Sequence, residues 1–596
     1  MKRTLCLALC LTILLSCIMV GATAEELTFT PGTYTATVNG NVGPITVETV
    51  FSEHAIDSVT VVSHNETRII STPAIERMPK AIVENQSLAV DAISSCTVTS
   101  NAILFAVRQC ATEAGGDLQL LYAPLPEPEK QDRTIDADIV VVGGGLSGLT
   151  AAASAADSGK QVVLLEKLDA TGGSSALSGG VFVAIGVEGQ EELGATATVE
   201  EMVQNWMDRD AAASLKPYDE SIDFVAKRTQ LIANSAKAHD FLNAHGDTLN
   251  ETPLSSNYWL DMPIHYYSIQ RVDQTDTYDA GGSEHTNALT KYLEGIDNVT
   301  LYMGTPAKEL LTKDGAICGV VAESKEGKLT INTSKVILAC GGYARNGELL
   351  ERFVPIESAD FAPYSCSGVG NTGDGIIMAE AIGADVYEEG FTVTMGFPVS
   401  GANIKADINT VKGLLVMDAH GNRIVSYNAG KPPFITAFSN AYKETGAVYE
   451  LHDANSGTVE ILEKYLSLPT VFKADSLDEL AELTGMDAET LKATVETYNS
   501  YCDQENDPDF GQKTLTRIDT APFYATSHSL SNYATFGGLK TNENYEVLNK
   551  AGEPIEGLYA VGELTTGNVV NQFYLGGSML LNSIVSGMLA GENASA

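Results

Sequence analysis

The fold of this chain is decided by residues 137–167, which read ADIVVVGGGLSGLTAAASAADSGKQVVLLEK. The run at 138–142, apolar after its first residue, is typical of a buried strand, and so is the second run at 162–165. Between them, the pattern G-x-G-x-x-G opens an Ala-rich, helix-like segment at 149–156, and an acid, Glu166, follows the second run. This order of strand, glycine turn, helix, strand and acid predicts a βαβ unit that binds a dinucleotide.

Each residue type in this unit has a physical role in holding a dinucleotide. The glycines permit a tight turn and a close backbone approach to the pyrophosphate, which faces the helix N-terminus, and the acid binds a ribose hydroxyl. The alternative is a glycine-rich turn in an α/β domain that binds no nucleotide. The predicted nucleotide contacts in this unit are Gly143, Gly145, Ser147, Gly148, Glu166 and Lys167.

Length and composition bound the class of protein. A chain of 596 residues is longer than one domain, and 44% hydrophobic residues with 54 glycines are typical of a globular α/β protein. The net charge of −41 argues against a nucleic-acid partner, whose phosphates would be repelled. The cysteines beyond residue 24 form no C-x-x-C pair, so we predict neither a metal site nor attached haem.

The N-terminus has the pattern of a targeting segment. A basic pair at 2–3 is followed by an apolar run at 5–20 and by small residues at 22–24. This pattern predicts a signal peptide, residues 1–24, and an exported protein. The sequence Leu-Leu-Ser-Cys ending at Cys17 also resembles a lipoprotein box, so a lipid anchor through that cysteine is the alternative.

Residues 25–122 are predicted to form a small α+β domain. Alternating apolar residues predict its strands, and apolar residues at helical spacing predict its helices. The predicted strands are 32–38, 45–51 and 58–62, and the predicted helices are 75–88, with a kink or break at Pro79, and 103–110. A Pro- and charge-rich linker at 123–134 separates this domain from the rest of the chain.

The segment 91–100, together with these strands and the stretch 81–86, resembles the small FMN-binding domain of exported and membrane-associated flavoproteins. In that family a flavin transferase links FMN through its phosphate to a threonine in the motif D-x-x-S-G-A-T-x-T. The resemblance implies covalent FMN on Thr99, with Thr97 as the alternative acceptor, although the usual Gly-Ala is replaced at 95–96. The other interpretation is an ordinary helix start capped by one of these threonines.

Five further pieces of the chain combine apolar runs or helix starts with glycine turns. They are TGGSSALSGG at 171–180, VILACGG at 336–342, NTGDGIIMA at 371–379, GLYAVGE at 557–563 and LGGSMLL at 575–581. Small residues and helix N-termini let backbone N–H groups and hydroxyls reach a cofactor and its phosphates. The predicted contacts in these pieces are Ser174, Ser175, Gly179, Gly180, Asp374, Glu563, Ser578, Met579 and Leu580.

These pieces, in this order after the fingerprint, resemble the flavoprotein subunit family of fumarate reductase and succinate dehydrogenase. The branch is the soluble one, which includes fumarate and urocanate reductases and has 3-ketosteroid dehydrogenases as cousins. The resemblance implies an α/β fold with a Rossmann-like domain that binds FAD non-covalently, at 135–386 and 532–596. It also implies an inserted capping domain at 387–531, which closes over the flavin and the substrate.

The carboxylate-binding side chains of that family are replaced in this sequence. In fumarate reductases a cap arginine delivers the proton, while two histidines and a second arginine clamp the substrate carboxylates. Here the cap arginine is replaced by Lys431, the two histidines by Thr394 and Ala534, and the second arginine by Tyr574. The proton-relay pair falls at Asp407 and Thr410. Because the planar fork of arginine suits carboxylates, its replacement argues against a dicarboxylate substrate.

Tyr574 lies in QFYLGG, residues 572–577, which resembles the Tyr-x-Gly motif of ketosteroid dehydrogenases. In that family the tyrosine hydroxyl and a backbone N–H hold the ketone oxygen of the substrate, where negative charge develops during reaction. Apolar residues near the predicted site favour a flat hydrophobic substrate. They are Phe391, Met395, Phe397, Phe434, Phe438, Tyr533, Phe536 and Phe573.

The predicted activity is therefore an exported flavin reductase of the C=C bond in a bulky, steroid-like or polycyclic enone. Lys431 is the predicted proton donor, with Tyr427, Tyr364 or Tyr533 as alternatives. Electrons are expected to come from a membrane-associated or extracellular donor, enter at FMN and pass to FAD. The competing interpretations are a reductase of an unsaturated carboxylate, a 3-ketosteroid dehydrogenase, and an electron carrier without a substrate.

Overall fold

The structure is a computed structural model. The residues it describes are 26–41, 43–66, 71–94, 96–126, 129–213, 222–249, 254–255, 264–267, 281–354, 365–397, 414–426, 431–571 and 573–596. The predicted signal peptide, its Cys17 alternative, and the predicted positions Tyr364, Asp407, Thr410 and Tyr427 lie outside the described residues. The chain divides into two compact units, a smaller N-terminal unit that ends at residue 127 and a larger unit from residue 128 to 596.

The N-terminal unit is a three-stranded antiparallel sheet packed against helices. Its strands are Gly32–Asn39, Pro44–Phe51 and Ile56–His64, in that order across the sheet, and its helices are Thr72–Asn85, Thr97–Glu113 and Leu118–Leu121. Alternation places Ile45, Val47 and Phe51 on the buried face of the central strand. Apolar side chains of the two long helices cover that face, so the unit has its own core.

Two predictions for this unit differ from the structure. The helix Thr72–Asn85 continues through Pro79, which lies inside the helix and in the core, so the predicted break is wrong. The next helix starts at Thr97, with Cys96 as its N-cap, and not at residue 103. Apolar spacing did not reveal its first turn because the buried positions of that turn are polar, Thr99 and Ser100.

The larger unit is built on the predicted βαβ fingerprint. A six-stranded sheet holds, in order, Val299–Tyr302, Val162–Leu165, Ile139–Val142, Val336–Leu338, Pro554–Ala560 and Glu546–Leu548, and only the last of these is antiparallel to its neighbour. The fingerprint helix is Leu146–Asp157, and the C-terminal helix is Ser578–Ser595. These two helices pack at backbone distance: a Cβ on Gly587 would lie 2.4 Å from the Ser147 carbonyl oxygen.

A second, four-stranded sheet comprises Ala307–Lys313, Ala316–Ser324, Gly327–Asn332 and Arg133–Asp136. The last strand pairs in parallel with Leu329–Asn332, so residues 133 and 134, assigned to the linker by composition, form part of this sheet. A small sheet of Phe182–Ala184, Leu254–Ser255 and His265–Tyr267 completes this part. The helices here are Val199–Ala213, Phe224–Ala233, Ser235–Ala244, Gly281–Glu294, Gly347–Phe353 and Asp374–Glu380, with short 3-10 turns at Ser175–Leu177, Glu191–Leu193 and Gly562–Asn568.

The sequence between the Asp374 helix and the C-terminal pieces contributes a separate sheet, which we call the cap sheet. Its strands are Phe391–Phe397, Leu415–Asp418, Arg423–Val425, Val448–His452, Val471–Ala474 and Phe523–Phe536. The helices beside it are Lys431–Thr445, Val459–Lys464, Leu477–Thr484 and Ala488–Asp503. It has hydrophobic clusters of its own, around Leu415 and Phe438. The predicted domain limits stay predictions.

No helix within the described ranges is long and apolar enough to cross a membrane. The cysteines of the same ranges are free thiols, and Cys96 and Cys110 are buried.

Candidate functional site

The three fingerprint glycines have different surroundings. Gly143 has a φ of +113°, and a Cβ there would lie 2.3 Å from the Ala339 carbonyl oxygen. A Cβ on Gly148 would lie 1.9 Å from the carbonyl oxygen of Gly143. Gly145, the N-cap of the fingerprint helix, instead has open space beside it, with its nearest neighbour, the Gly172 oxygen, at 4.0 Å. Two glycines therefore serve packing, and the third leaves the helix N-terminus open to a phosphate.

Glu166 lies beside this turn and is 7% exposed. Its carboxylate accepts hydrogen bonds from the N–H groups of Gly144, at 2.7 Å, and Leu168, at 2.8 Å. Burial raises the pKa of this carboxyl group. Two bonds leave further lone pairs on a carboxylate, so Glu166 can also accept a bond from a ribose hydroxyl.

The loop 171–180 lies against the fingerprint turn. Its Gly172 N–H donates to the Gly144 carbonyl over 2.8 Å. The Ser174 hydroxyl oxygen accepts from the Gly368 N–H, at 3.0 Å, and from the Asn371 amide, at 3.2 Å. The neighbouring predicted residues Ser175, Gly179 and Gly180 lie on the same loop, and a Cβ on Gly179 would meet nothing within 4 Å. The predicted contacts of this loop thus share one open-sided cradle with Gly145.

A polar network that the sequence did not reveal surrounds Glu563. Its carboxylate accepts from the Asn371 amide at 3.0 Å, from the Thr535 N–H at 2.8 Å and from the Thr535 hydroxyl at 2.9 Å. Burial raises the pKa of the Glu563 carboxyl group. Only glycine fits at 342, since a Cβ there would lie 1.9 Å from the Thr535 hydroxyl oxygen. Glu563 thus joins the glycine end of the strand Val336–Leu338 to the cradle.

The predicted contacts Lys167 and Asp374 form an ion pair of 2.6 Å. Lys167 also donates to the Thr372 hydroxyl over 2.6 Å, and Gly373, with a φ of +79°, caps the short helix that begins at Asp374. Residues 205 or more positions apart in the chain therefore meet at the same edge of the cradle.

The N-terminus of the C-terminal helix is the second helix end at this site. Gly577 caps it with a φ of +78°. Ser578 is fully buried, and both its N–H, at 3.1 Å, and its hydroxyl, at 2.7 Å, donate to the Leu575 carbonyl. The predicted role of Ser578 as a donor is therefore weakened, while Met579 and Leu580 occupy first-turn positions whose N–H groups have no intrahelical acceptor.

Tyr574 precedes this helix and is half-buried, with its ring centroid 5.8 Å from that of Phe536. Its neighbour Phe573 is fixed at both backbone groups. The Phe573 N–H donates to the Asp210 carboxylate over 2.6 Å, and the Phe573 carbonyl accepts from the Trp206 indole over 3.0 Å. The segment that carries Tyr574 is therefore held from the helix Val199–Ala213.

The same segment is held by a fully buried ion pair. Arg228 pairs with Asp210, and both side chains are 0% exposed. Arg228 also donates to the Val569 carbonyl over 2.9 Å and lies over the Trp206 ring, 4.5 Å from its centroid. The sequence between residues 196 and 250 gave no sign of this arrangement, because local patterns do not show that Arg228 and Asp210 are buried or that Arg228 bonds to Val569, 341 residues away.

We expect Arg228→Met to lower the free energy of unfolding by about 3–5 kcal/mol, since it leaves Asp210 charged and buried without its cationic partner. The exposed pair Lys237–Glu592, at 2.7 Å, provides the matched control, and Lys237→Met is expected to cost about 1 kcal/mol or less. Urea unfolding of the purified variants measures both. Equal stability losses in the two variants would contradict a special role for the buried pair.

For the predicted proton donors Lys431 and Tyr533, the structure describes only the backbone. Lys431 begins the helix Lys431–Thr445, followed by prolines that suit a first helical turn, and Tyr533 lies in the strand Phe523–Phe536; their side chains are outside the described part. Among the predicted substrate-facing aromatics, Phe438 and Phe536 are 1% exposed and belong to hydrophobic cores. These two support the fold rather than line an open pocket.

In the N-terminal unit, Thr99 occupies the first turn of the helix Thr97–Glu113. It is 4% exposed, and its hydroxyl donates to the buried carboxylate of Glu66. Thr97 is exposed on the same turn. The first-turn N–H groups of a helix have no intrahelical acceptor and favour an anion, so a helix N-terminus suits a phosphate carried by either threonine.

Two family descriptions match this chain. Residues 138–581 match the family described as FAD binding domain, and residues 40–112 match the FMN-binding domain. The chain belongs to the FAD-binding family of flavoproteins. The residues of the cradle fit FAD, because the helix N-terminus at Gly145 is open and the buried carboxylate of Glu166 lies beside it with lone pairs to accept a further hydrogen bond.

Several relatives of this flavoprotein are reductases. It is 30% identical to the NADH:acrylate oxidoreductase of Vibrio harveyi over 95% of this chain, but spans only 61% of that protein. It is 28% identical to the urocanate reductase of Eggerthella lenta, over 94% of this chain and 92% of the relative. It is 27% identical to the digoxin reductase of the same organism, over 82% of this chain and 92% of the relative.

Among solved structures, the open conformation of a flavocytochrome c3 fumarate reductase matches with a TM-score of 0.65 and 25% identity, over 77% of this chain and 78% of the other. These matches confirm the predicted resemblance and the α/β flavoprotein fold. The protein is a flavin-dependent oxidoreductase of the kind that reduces C=C bonds, with an FAD-binding and an FMN-binding domain.

Proposed function

We propose that this flavoprotein reduces the C=C bond of a bulky α,β-unsaturated ketone. The observation that carries the proposal is Tyr574, a neutral hydrogen-bond donor at the position where fumarate reductases place a carboxylate-binding arginine. The backbone of its neighbour Phe573 is fixed by Asp210 and Trp206, so the segment that carries Tyr574 before the C-terminal helix is held in place. A donor fixed before reaction stabilises developing charge without reorganisation.

In the proposed reaction, FAD, Tyr574 and the proton donor have separate roles. FAD, when bound, supplies a hydride to the β-carbon of the substrate. Tyr574 would donate a hydrogen bond to the substrate carbonyl oxygen as that oxygen gains negative charge, and the helix N-terminus at Gly577 adds a favourable dipole. Lys431, or Tyr533 as the alternative, would protonate the α-carbon.

Two features support a large, apolar substrate. Phe573 and Tyr574 are half-buried beside Met579 and Leu580, so the surface before the C-terminal helix is mainly apolar. A relative that matches over 82% of this chain and 92% of its own length is named a digoxin reductase. Apolar surroundings with one placed polar group are typical of sites for such ligands.

We further propose that electrons enter through FMN attached to Thr99 by a phosphoester. This modification requires a flavin transferase, and the reducing equivalents would come from a membrane-associated or extracellular donor. The targeting pattern before residue 25 supports export, with cleavage or with a lipid anchor at Cys17. A covalent tether suits an exported protein, because a lost flavin is not replaced outside the cell.

An unsaturated carboxylate is the second candidate substrate. The relatives named for acrylate and urocanate favour it. The absence of arginine at 431 and 574 disfavours it, since neither Lys nor Tyr reproduces a bidentate pair. A 3-ketosteroid dehydrogenase working in the oxidising direction is disfavoured by the FMN-binding domain, which suits delivery of electrons to FAD.

The proposal is tested by anaerobic assay of the purified holoenzyme with reduced viologen as the electron donor. The panel contains a 4-ene-3-ketosteroid, a small enone, a cinnamate, urocanate and fumarate. We expect the highest kcat/KM on the bulky enone. Rapid turnover of fumarate with no enone reduction would contradict the proposal and favour the carboxylate class.

A further inference from the structure

We infer that a buried Asp247–His285 pair positions the flavin-facing turn at 178–181, by holding the carbonyl of Gly180 from behind. The inference deepens the assignment of the FAD site and rests on it. His285 and Asp247 belong to neither the fingerprint nor the other glycine-rich pieces. They are positioning residues, because no contact with the cofactor or substrate is required of them.

The turn lies between the two helix ends of the cradle. Upstream, the Gly172 N–H bonds to the Gly144 carbonyl at the fingerprint. Downstream, the Val183 N–H donates over 3.4 Å to the carbonyl of Gly577, the N-cap of the C-terminal helix. A shift of the turn at 178–181 would therefore change the space between the pyrophosphate end and the helix before which Tyr574 lies.

His285 contacts this turn directly. Its Nε2 lies 2.7 Å from the Gly180 carbonyl oxygen, and its Nδ1 bonds to the Asp247 carboxylate. Both side chains are fully buried. A carbonyl only accepts, so Nε2 must carry a proton and donate it. A carboxylate also only accepts, so Nδ1 donates as well. The pair therefore fixes the orientation of the His285 ring and the direction of the Gly180 carbonyl together.

The direction of that carbonyl determines where the next N–H points. In a trans peptide the C=O and N–H are antiparallel, so a Gly180 carbonyl aimed at His285 turns the Val181 N–H to the opposite side. Gly179, next to it, has no neighbour within 4 Å of its Cβ position. The Val181 N–H thus points away from His285, and the open space at Gly179 lies two residues before it in the turn, where a flavin acceptor atom could bind.

The turn is also clamped by the helix that carries His285. A Cβ on Gly180, whose φ is +74°, would lie 2.3 Å from the Gly281 carbonyl carbon, and one on Gly282 would lie 1.9 Å from the Ser175 oxygen. The helix Gly281–Glu294 and the turn therefore meet backbone to backbone. Rotation of the Gly180 peptide is resisted both by this packing and by the hydrogen bond from His285 of the same helix.

The contact with Asp247 also affects the protonation of His285. Burial alone would lower the pKa of His285, but the hydrogen bond and charge of Asp247 outweigh burial and raise it, with Glu284 as a further nearby acid. The second Asp247 oxygen has no hydrogen-bond partner among the described residues. The pair therefore presents a charge-assisted donor to Gly180, and such donors are stronger than neutral ones.

The test uses two substitutions of His285 that separate its two bonds. In His285→Gln the amide nitrogen takes the place of Nε2 and still donates to Gly180, whereas in His285→Asn the amide reaches Asp247 only. We expect His285→Asn to weaken FAD binding by about 10-fold or more, the worth of one charge-assisted bond, and Gln to restore most of it. The FAD dissociation constant and the midpoint potential of FAD at saturation measure this in the full chain.

His245 provides a matched control. Its ring also bridges a carbonyl and a carboxylate, at 2.6 Å to Phe241 and 2.8 Å to Asp157, but away from the turn. We expect His245→Asn to lower thermal stability without moving the FAD potential. An unchanged dissociation constant and potential in His285→Asn, or equal shifts in His245→Asn, would overturn the inference. Wild-type protein that binds no FAD would instead overturn the assignment of the site.

Discussion

Replacement of Tyr574 by phenylalanine is expected to lower kcat on an enone by about 10²-fold or more, because one preorganised donor to a developing oxyanion is worth that much. The ring itself stays, so its contact with Phe536, at a centroid distance of 5.8 Å, is retained. KM is expected to change little, since the hydroxyl acts mainly on the transition state. Steady-state assays with a 4-ene-3-ketosteroid measure both constants.

Tyr343 is the matched control for this substitution. Its hydroxyl donates to the Phe536 carbonyl over 3.0 Å in the core, and its side chain is 1% exposed. Tyr343→Phe is expected to cost stability but not to produce the kcat effect of Tyr574→Phe. FAD content is measured in both variants. An unchanged kcat in fully loaded Tyr574→Phe would remove the tyrosine from the reaction.

Substitution of Thr99 by alanine is expected to abolish covalent flavin in protein coexpressed with a flavin transferase. We expect the loss to be complete, because the phosphoester to Thr99 is the bond proposed to keep FMN attached after denaturation. Loss of the hydroxyl also removes its hydrogen bond to Glu66. Mass spectrometry of the denatured protein and flavin fluorescence of the denatured band both report the attachment, independently of enzyme activity.

Thr97→Ala is the control, since Thr97 lies on the same helix turn and is exposed while Thr99 is buried. We expect it to retain covalent flavin. FAD in the larger unit is expected to remain bound in both variants, so reduction of FAD by dithionite stays intact while reduction through FMN is lost in Thr99→Ala. The reverse pattern, with flavin kept in Thr99→Ala and lost in Thr97→Ala, would move the acceptor to Thr97.

The fingerprint shows why local sequence patterns predict glycine positions. Gly143 and Gly148 are needed for backbone contacts made within a few residues or with the next strand, so their spacing is itself the signal. The same holds for Gly577, which caps a helix directly after it. Where a backbone conformation needs glycine, the sequence shows it.

Contacts between distant segments left no such signal. Glu563 was predicted from the end of its strand, but its partners Asn371 and Thr535 were not, because any polar residue at those positions looks like an ordinary surface residue. Arg228 and Asp210 lie in amphipathic helices whose pattern gives no sign that one charged pair is fully buried. Burial of these groups is decided by tertiary packing.

The predicted start of one helix was wrong for a related reason. The helix that carries Thr99 starts six residues before the predicted residue 103, because its first turn buries Thr99 and Ser100 and not apolar side chains. The difference matters for function. It places both candidate FMN acceptors on a helix N-terminus and not in a loop before it.

We expect FAD in this protein to reduce an enone and not a dicarboxylate. A single-turnover experiment tests this: the FAD of the holoenzyme is reduced anaerobically and mixed with a 4-ene-3-ketosteroid, urocanate or fumarate, while flavin absorbance is followed. We predict that the enone reoxidises the flavin about 10²-fold faster than fumarate does, with the saturated ketone as product. Fast reoxidation by fumarate or urocanate, with none by the enone, would contradict it.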